Sequence, residues 1–390
     1  AAPILLALSA GVGVLSGTLD LEHYFGPGVA AQPFAAGTMQ AEYLAKIGPG
    51  YEARVLGMPE MYFSHADTRF LAPAVQGEDL ASPAEDLPVA IAANHGLAFI
   101  VYGWMASYLP LIQAAYPGGQ LQTVPGTDGS VFTTYVVSPQ EIARWQGLTA
   151  DYNGSQRMET DTSALGGGAS SYPANAIWSG AVYVGQPGAY SFGCGSGCQL
   201  AVDDQVQAPS TTRALSTGWH GLRLTARLAN PANRVPLTWQ VAGGQPGPIP
   251  TSQLDSRPIG GQLRGTVTPD GGVPIQRLDR ALGSRDMSRI LGVGRTATVT
   301  WQGTLNMTAA GQYRLGLQAD NDASVNLDGQ PLVRTGGGNA NAMANLTQGT
   351  HDITVTYRSI HNPGSLELSW TPPGSTSPAI IPPEAFGPPR

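Results

Sequence analysis

Glu60, His65, Asp67 and Arg69 gather in PEMYFSHADTRF, a histidine beside acids that suits acid–base work or metal binding. No second histidine or nucleophile lies close, and Ser64 is outside any nucleophile elbow, so a hydrogen-bonded surface loop is the expectation. His220 and His351 are a second pair of candidates, but each follows a glycine at the same spacing, Gly218-x-His220 and Gly349-x-His351. A histidine duplicated in this way points to a role in the fold, at a turn before a strand. Trp104, Trp145 and Trp219 are free to stack on a sugar, with packing the better expectation. The glycine-rich GVGVLSG and GGQPGPIP lack the strand–turn–helix context and lysine of a phosphate loop. No carboxylate pair for glycoside hydrolysis stands out. The expectation is a chain with no catalytic residue of its own.

The elements that must position these residues are written twice. WSGAVYVGQPGAYSF at residues 178–192 and WQGTLNMTAAGQYRL at residues 301–315 share Trp, Gly, Gly and Tyr at identical spacing: Trp178, Gly180, Gly188, Tyr190 and Trp301, Gly303, Gly311, Tyr313. Both copies continue to an apolar-Asp pair, Val202-Asp203 and Leu327-Asp328, then to Gly-x-His. Both close on Leu-x-Trp, Leu237 to Trp239 and Leu368 to Trp370. A repeat this long is a domain, so the back half of the chain is a tandem of one module.

The 390 residues are enough for two or three domains. Charged residues make up 12%, about half the usual share, and 51 glycines and 32 prolines favour turns and strands. A net charge of −7 argues against nucleic-acid binding, which needs a surplus of Lys and Arg. The cysteines are two, Cys194 and Cys198. They are open to a metal or a redox reading, but zinc wants four ligands and redox pairs favour a two-residue spacer. A short structural disulfide is favoured, worth about 2 kcal/mol in the chain-entropy account. It points outside the cytoplasm. Residues 3–15 form an uncharged apolar run, shorter than the ~20 residues of a full span. It reads as a signal-peptide core, a buried helix or, the preferred reading, the end of a membrane helix or anchor.

The fold class expected is multidomain and mainly β: a small α/β domain followed by two antiparallel β-sandwiches. The boundaries are 1–16 for the apolar segment, 17–145 for the α/β domain, 146–250 for the first sandwich and 259–390 for the second. In the front domain, residues 38–47 have helical spacing, 53–57 and 97–103 read as strands, and 106–115 reads as a helix with Pro110 at its start or at a kink. PVAIAANHG reads as a strand or a loop. LQTVPG and SVFTTYVV read as strands joined at Gly126-Thr127-Asp128-Gly129. Alternating helix and strand implies three layers. Further on, period-2 runs such as AYSFG, GLRLTARL, HDITVTY and LELSW read as sandwich strands. GGQPGPIPTSQLDSRP reads as a linker between the copies, and SPAIIPPEAFGPPR as a last edge strand.

The order Trp-x-Gly, Gly-x-Tyr, acidic loop, apolar-Asp-Gly, Gly-x-His and Leu-x-Trp resembles the protective-antigen-type, lectin-like β-sandwich. That resemblance implies a loop in which two adjacent acids hold a calcium ion that binds sugar hydroxyls. In the second copy the matching residues are Asp320, Asn321 and Asp328, with Asp322 adjacent. Asp320 and Asn321 are thus the candidate calcium ligands, set against a solvated turn held by Asx hydrogen bonds. In the first copy the matching loop is Gly195-Ser196, with only Asp203 and Asp204 left acidic. The cysteine bridge there takes the place of the metal, and the copy reads as structural. DLEHYFGPG, MYFSHADTRFLAP and YPGGQLQTVPGTDGSVFTTYVV, with the following module, are similar to the extracytoplasmic C-terminal region of bacterial protein-mannosyltransferase-like glycosyltransferases. The catalytic loop of that class lies outside this chain. The function implied is a non-catalytic, extracytoplasmic carbohydrate- or acceptor-binding region at a cell surface or the periplasmic side of a membrane. Its partners would be a glycan or glycolipid, the membrane through the N-terminal segment, and surface proteins. The alternative is a structural surface, adhesin or filament component making protein contacts.

Overall fold

The structure is a computed structural model that describes residues 14–19, 35–126, 129–186, 188–208, 211–215, 217–241, 243–257, 263–284, 287, 291, 296–360 and 364–390. Most of the N-terminal apolar run, and Thr127 and Asp128 of the expected turn, lie outside these residues. Residues 14–19 are helical. Among the described residues no helix is long and apolar enough to cross a membrane. The fold is mainly β, with several antiparallel sheets. Two compact units emerge: the described parts of Ala1–Asp79, Gly96–Ala106 and Gly119–Val137, and those of Leu80–His95, Ser107–Gly118 and Ser138–Arg390.

The first unit is built on a five-stranded sheet of β1 (Tyr51–Leu56), β2 (Gln76–Asp79), β3 (Gly96–Tyr102), β4 (Gln120–Gly126) and β5 (Gly129–Val137) in the order β2-β1-β3-β5-β4. β1 runs parallel to β2 and β3, whereas β5 is antiparallel to β3 and β4. All seven residues of β3 are buried, as an unbroken apolar run predicts for a strand covered on both faces. Helix α1 (Ala35–Ile47) contributes Leu44, flanked by Met39 and Tyr43, to a core with Val55, Ile100, Tyr102 and Phe132. A second helix, α2 (Ala66–Leu71), follows β1. Buried Arg54 meets Glu52 at 3.0 Å and Glu78 at 3.2 Å.

The second unit opens with helices α3 (Pro83–Asp86), α4 (Leu109–Ala115) and α5 (Pro139–Ala143). The helix expected over 106–115 divides: a 3₁₀ turn covers Gly103–Tyr108, and α4 begins where Pro110, at its first turn, has no N–H to miss. Residues 88–95 of PVAIAANHG form a loop, and its Gly96 opens β3. Neither the 80–95 nor the 107–118 stretch clusters with the front sheet, although the sequence groups both with it. They are tied instead to the sandwiches. Ser82 shares a hydroxyl hydrogen bond with Ser284 at 2.8 Å, and Tyr108 donates to Glu367 at 2.7 Å. The Trp219 indole donates to the Pro88 carbonyl, Arg280 to the Leu87 carbonyl and Arg257 to the Ala115 carbonyl. Arg257 is held by Asp255 and lies 4.7 Å over the Trp145 ring. Burial pushes the Arg280 guanidinium down to about 10.

The first sandwich comprises β6 (Leu148–Tyr152), β7 (Ser155–Glu159), β8 (Ala174–Val184), β9 (Gly188–Gly193), β10 (Cys198–Val202), β11 (Gln205–Gln207), β12 (Thr212–Leu215), β13 (Gly218–Leu228), β14 (Thr238–Val241), β15 (Gly247–Pro248) and β16 (Leu254–Asp255). The second comprises β17 (Leu263–Pro269), β18 (Ile275–Asp279), β19 (Gly283–Ser284), β20 (Ala297–Met307), β21 (Gly311–Ala319), β22 (Asp322–Leu327), β23 (Gln330–Thr335), β24 (Gly338–Leu346), β25 (Gly349–Ser359), β26 (Leu366–Thr371), β27 (Ala379–Ile380) and β28 (Phe386–Gly387). One sheet of the first runs β7-β6-β8-β13-β10-β11, and its counterpart runs β18-β17-β20-β25-β22-β23. The facing sheets run β12-β9-β14-β15 and β24-β21-β26, with β27 and β19 on β26. Register agrees as well: Gly218 pairs with Val184 where Gly349 pairs with Met307, and Trp239 with Gly247 where Trp370 pairs with Ala379.

The stretch expected as a linker is a correction. GGQPGPIPTSQLDSRP supplies β15 and β16, buries Ile249 and Leu254, and lays β16 on β8 with Leu254 opposite Val182. In the second copy β28 lies on β20 with Phe386 opposite Leu305, so the proline-rich tail closes its sandwich in the same way. A few apolar residues among the prolines, Ile249 and Leu254 here and Ile380, Ile381 and Phe386 in the tail, are what bury these segments. The closing strand also explains the Trp-x-Gly motif. A Cβ on Gly180 would stand 2.5 Å from the Asp255 carbonyl oxygen, and one on Gly303 2.5 Å from that of Gly387.

Trp178 and Trp301 are the largest fully buried side chains. Their indoles donate to Glu159 at 2.9 Å and to Asp279 at 2.7 Å, acids at matching ends of β7 and β18. Trp301→Phe keeps the ring packing but strips the donor from buried Asp279. It is expected to destabilise the second sandwich by about 1–3 kcal/mol in denaturant unfolding of the full chain. Unchanged stability would show that the indole–carboxylate bond is dispensable.

Candidate functional site

The remaining shared motifs are framework. The Gly-x-Tyr tyrosines, Tyr190 and Tyr313, donate to the carbonyls four residues back, Gln186 at 2.8 Å and Ala309 at 2.9 Å. The Leu-x-Trp rings, Trp239 and Trp370, lie 5.6 and 5.7 Å from them. His220 Nδ1 meets Asp203 at 2.9 Å, and His351 Nδ1 meets Asp328 at 2.7 Å. The other carboxylate oxygen of each aspartate accepts a backbone N–H from the histidine strand, that of Gly221 or Asp352. Each pair thus clamps a turn whose aspartate has a left-handed backbone, φ 48° at Asp203 and 49° at Asp328. The glycines that begin the histidine strands, Gly218 and Gly349, have φ of 119° and 123°, a backbone conformation that a side chain would strain even though the space around each is open.

Of the residues read as a calcium loop, Asp320, Asn321 and Asp322 sit together and Asp328 stands apart. Asp320 and Asn321 form the β21–β22 connection and Asp322 opens β22, but Asp328 follows the other end of that strand, on His351. Asp320 accepts from the Tyr357 hydroxyl at 2.9 Å, the Ser365 N–H at 2.9 Å and the Asn321 amide at 3.0 Å. Desolvation, then the hydrogen bond to Asp320, raises the Tyr357 hydroxyl, so it stays a donor. Asn321 is only 4% exposed; its oxygen accepts the Ile360 N–H and its amide donates to Asp320 and Tyr357. Asp322 is matched by Arg334 through two bonds of 2.9–3.0 Å, and Asp270 by Arg358. Calcium seeks six to eight oxygens. Both Asp320 oxygens and the Asn321 oxygen already accept protein donors, and the Asp322 carboxylate is taken by Arg334 at the surface. As arranged, this set does not fit a calcium cage. Among the described residues no group of three or more His, Cys, Asp or Glu could hold a metal.

In the first copy a disulfide joins Cys194 to Cys198 at the equivalent connection, between β9 and β10. Elsewhere the candidates separate. His65 caps α2, accepting the Asp67 N–H at 3.4 Å, and Asp67 accepts from Thr38 at 2.5 Å. Glu60 and Arg69 take no part in that cap. Trp219 is buried against Tyr183, and Trp145 lies under Arg257. Trp104, 42% exposed, stacks on Tyr102 at 5.1 Å. The acids that receive Trp178 and Trp301 escape a reading focused on the tryptophans. Their signal is a further repeat, Gln156-Arg157-Met158-Glu159 and Gln276-Arg277-Leu278-Asp279.

A family profile for the PA14 domain matches residues 284–383, which lie in the second sandwich. No curated protein matches the chain. Among solved structures, an anti-sigma factor domain-containing protein from Clostridium clariflavum is 18% identical, covering 63% of this chain and 99% of its own at a TM-score of 0.29. The PA14 sugar-binding domain from an RTX adhesin is 14% identical, covering 33% of this chain and 99% of its own at a TM-score of 0.25. The Epithelial Adhesin 9 A domain from Candida glabrata, in complex with Galb1-4GlcNAc, is 8% identical over 33% of this chain and 88% of its own, with a TM-score of 0.26. At these scores the solved structures carry no weight of their own. The profile match falls on the copy whose acidic connection survives.

The clamp in the second copy has a pH signature. Desolvation works against a charged His351, but hydrogen bonds to Asp328 and the Thr347 carbonyl outweigh it and raise its pKa above 6.5. The bond from His351 lowers Asp328 below 3.8. The raised histidine stabilises the fold fully below about 6.5 and loses that contribution as pH climbs through its folded value. The lowered aspartate contributes above about 3.8 and loses it on acidification. The stability gap between the natural chain and His351→Gln is therefore expected to be widest between about pH 4 and 6.5 and to shrink on the alkaline side. A gap that stays flat across pH in thermal unfolding would refute the charged clamp.

Proposed function

We propose that this chain is a non-catalytic, extracytoplasmic glycan-binding region whose tandem sandwiches do the binding. The PA14 profile over residues 284–383 carries this reading, because the resembled module is lectin-like. The same topology in the first copy supports a duplicated binding scaffold. The Cys194–Cys198 bridge supports an oxidising compartment. Non-catalytic action is supported by the state of the candidate groups: His65 caps a helix, and His220 and His351 clamp turns. Because the side chains of the Asp320–Asp322 connection bond to one another and to Arg334, binding in this reading does not require calcium.

The setting we propose is the outer-face part of a membrane glycosyltransferase-like protein, where the region would hold a glycan or a lipid-linked sugar acceptor. The front-unit motifs support that setting, and many apolar spans encoded upstream of Ala1 would strengthen it.

A glycan array probed with the full chain, run with calcium and with a chelator, tests the function. The expected result is selective binding of a saccharide at similar strength in both arms. Loss of binding under chelation would restore a metal at Asp320 and Asn321. No binding in either arm would overturn the glycan reading in favour of a structural surface component.

A further inference from the structure

The two sandwiches, both in the second unit, border an open cleft of about 700 Å3. That size suits a small ligand or a few sugar rings. One wall is the β10–β11 turn with the start of β13, bringing Asp203, Asp204 and Gln205. The other is the outer face of β17, β18 and β20. Register fixes what stands there: Arg264 lies opposite Gln302 on one side and Leu278 on the other, and Thr266 lies opposite Gln276. Because alternate residues of a strand share a face, Arg264 and Thr266 stand side by side, turned away from buried Leu263 and Val267. Arg264, Gln276 and Gln302 are exposed.

Most charges in this cleft are paired by contact, and two are not. Arg213 reaches Asp203 at 3.4 Å, and Arg277 is spent on Asp279. Arg264 and Asp204 line the same cleft, yet among the described residues neither side chain has a hydrogen-bond or ion-pair partner. An anion would suit Arg264 and be repelled by Asp204, and a cation the reverse. An apolar ligand would strip water from both. A neutral chain rich in hydroxyls meets both demands, since each hydroxyl donates to a carboxylate and accepts from a guanidinium. On the same wall Gln302 adds an amide with both donor and acceptor, and Gln276, whose oxygen accepts from Thr266 at 3.2 Å, adds amide donors.

We propose that this cleft, rather than the Asp320–Asp322 rim, is where the chain holds a neutral oligosaccharide, with Arg264 and Asp204 as its charged contacts. The inference rests on the glycan-binding reading and adds a place and a ligand class to it. The test uses the full chain with Arg264→Ala, Asp204→Asn and the control Val273→Ser, an exposed residue in the β17–β18 hairpin. Both cleft residues are exposed and unpartnered, so the variants are expected to melt like the natural chain. Calorimetry with the strongest neutral oligosaccharide from the array is expected to show about a tenfold loss of affinity for each cleft variant and none for the control. If the natural chain binds a neutral glycan and both cleft variants bind it equally well, the cleft assignment is overturned and the glycan reading stands. If only acidic glycans bind, and Asp204→Asn strengthens them, the neutral ligand class is overturned. If no glycan binds, the functional reading falls and the cleft with it.

Discussion

A buried indole N–H has to find an acceptor, and each sandwich is built around that demand. Trp178 and Trp301 sit at the middle of the long strands β8 and β20, out of reach of water. An unmet donor there would cost about 1–3 kcal/mol. Each copy answers with an acid at the end of the β7 or β18 edge strand, aimed inward. Burying a carboxylate is itself costly, so the acid is supported in turn. Arg277 holds Asp279, and the Tyr152 hydroxyl with the Gly166 and Gly168 amides holds Glu159. The tryptophan fixes the edge hairpin, the edge hairpin fixes the face that Arg264 and Gln276 present, and the cleft follows from that face.

The same logic of satisfied polar groups governs the rest of the second unit. Sandwiches joined only by apolar contact would slide; here polar side chains specify one arrangement. Arg257 spans the first sandwich and the 107–118 segment by bonding Asp255 and the Ala115 carbonyl while covering Trp145. Arg280 of the second sandwich and Trp219 of the first both donate to carbonyls of the 80–95 segment. These segments therefore serve as struts. The Leu87, Pro88 and Ala115 carbonyls find their donors in the sandwich chains, far from them in sequence.

Much of this was legible beforehand, for a local reason. Trp-x-Gly, Gly-x-Tyr, Gly-x-His and Leu-x-Trp each encode a constraint confined to a turn or one strand pair: a crossing backbone at Gly180, a positive φ at Gly218, a ring packed at a tilt against Tyr190. Such constraints repeat when the module repeats. The closing strands were harder to read, because proline and glycine look like a linker unless the buried Ile249 and Leu254 are seen to meet β8. The calcium reading rested on residue type. Asp320, Asn321 and Asp328 have the right oxygens, but type alone does not say whether those oxygens face a common point or a protein donor.

By itself the sequence determined that one sandwich was duplicated, that its core is organised around a tryptophan and a tyrosine in each copy, and that the cysteines form a local bridge. These are properties of residues near in sequence or of spacings that recur. Only the tertiary structure decided that Asp328 belongs with His351 rather than with Asp320, that the 80–95 and 107–118 segments serve the sandwiches, and that Arg264 and Asp204 share a cleft. Each of these joins groups far apart in the chain, and the partner of a polar side chain is chosen by which donors and acceptors remain unmet once the strands have packed.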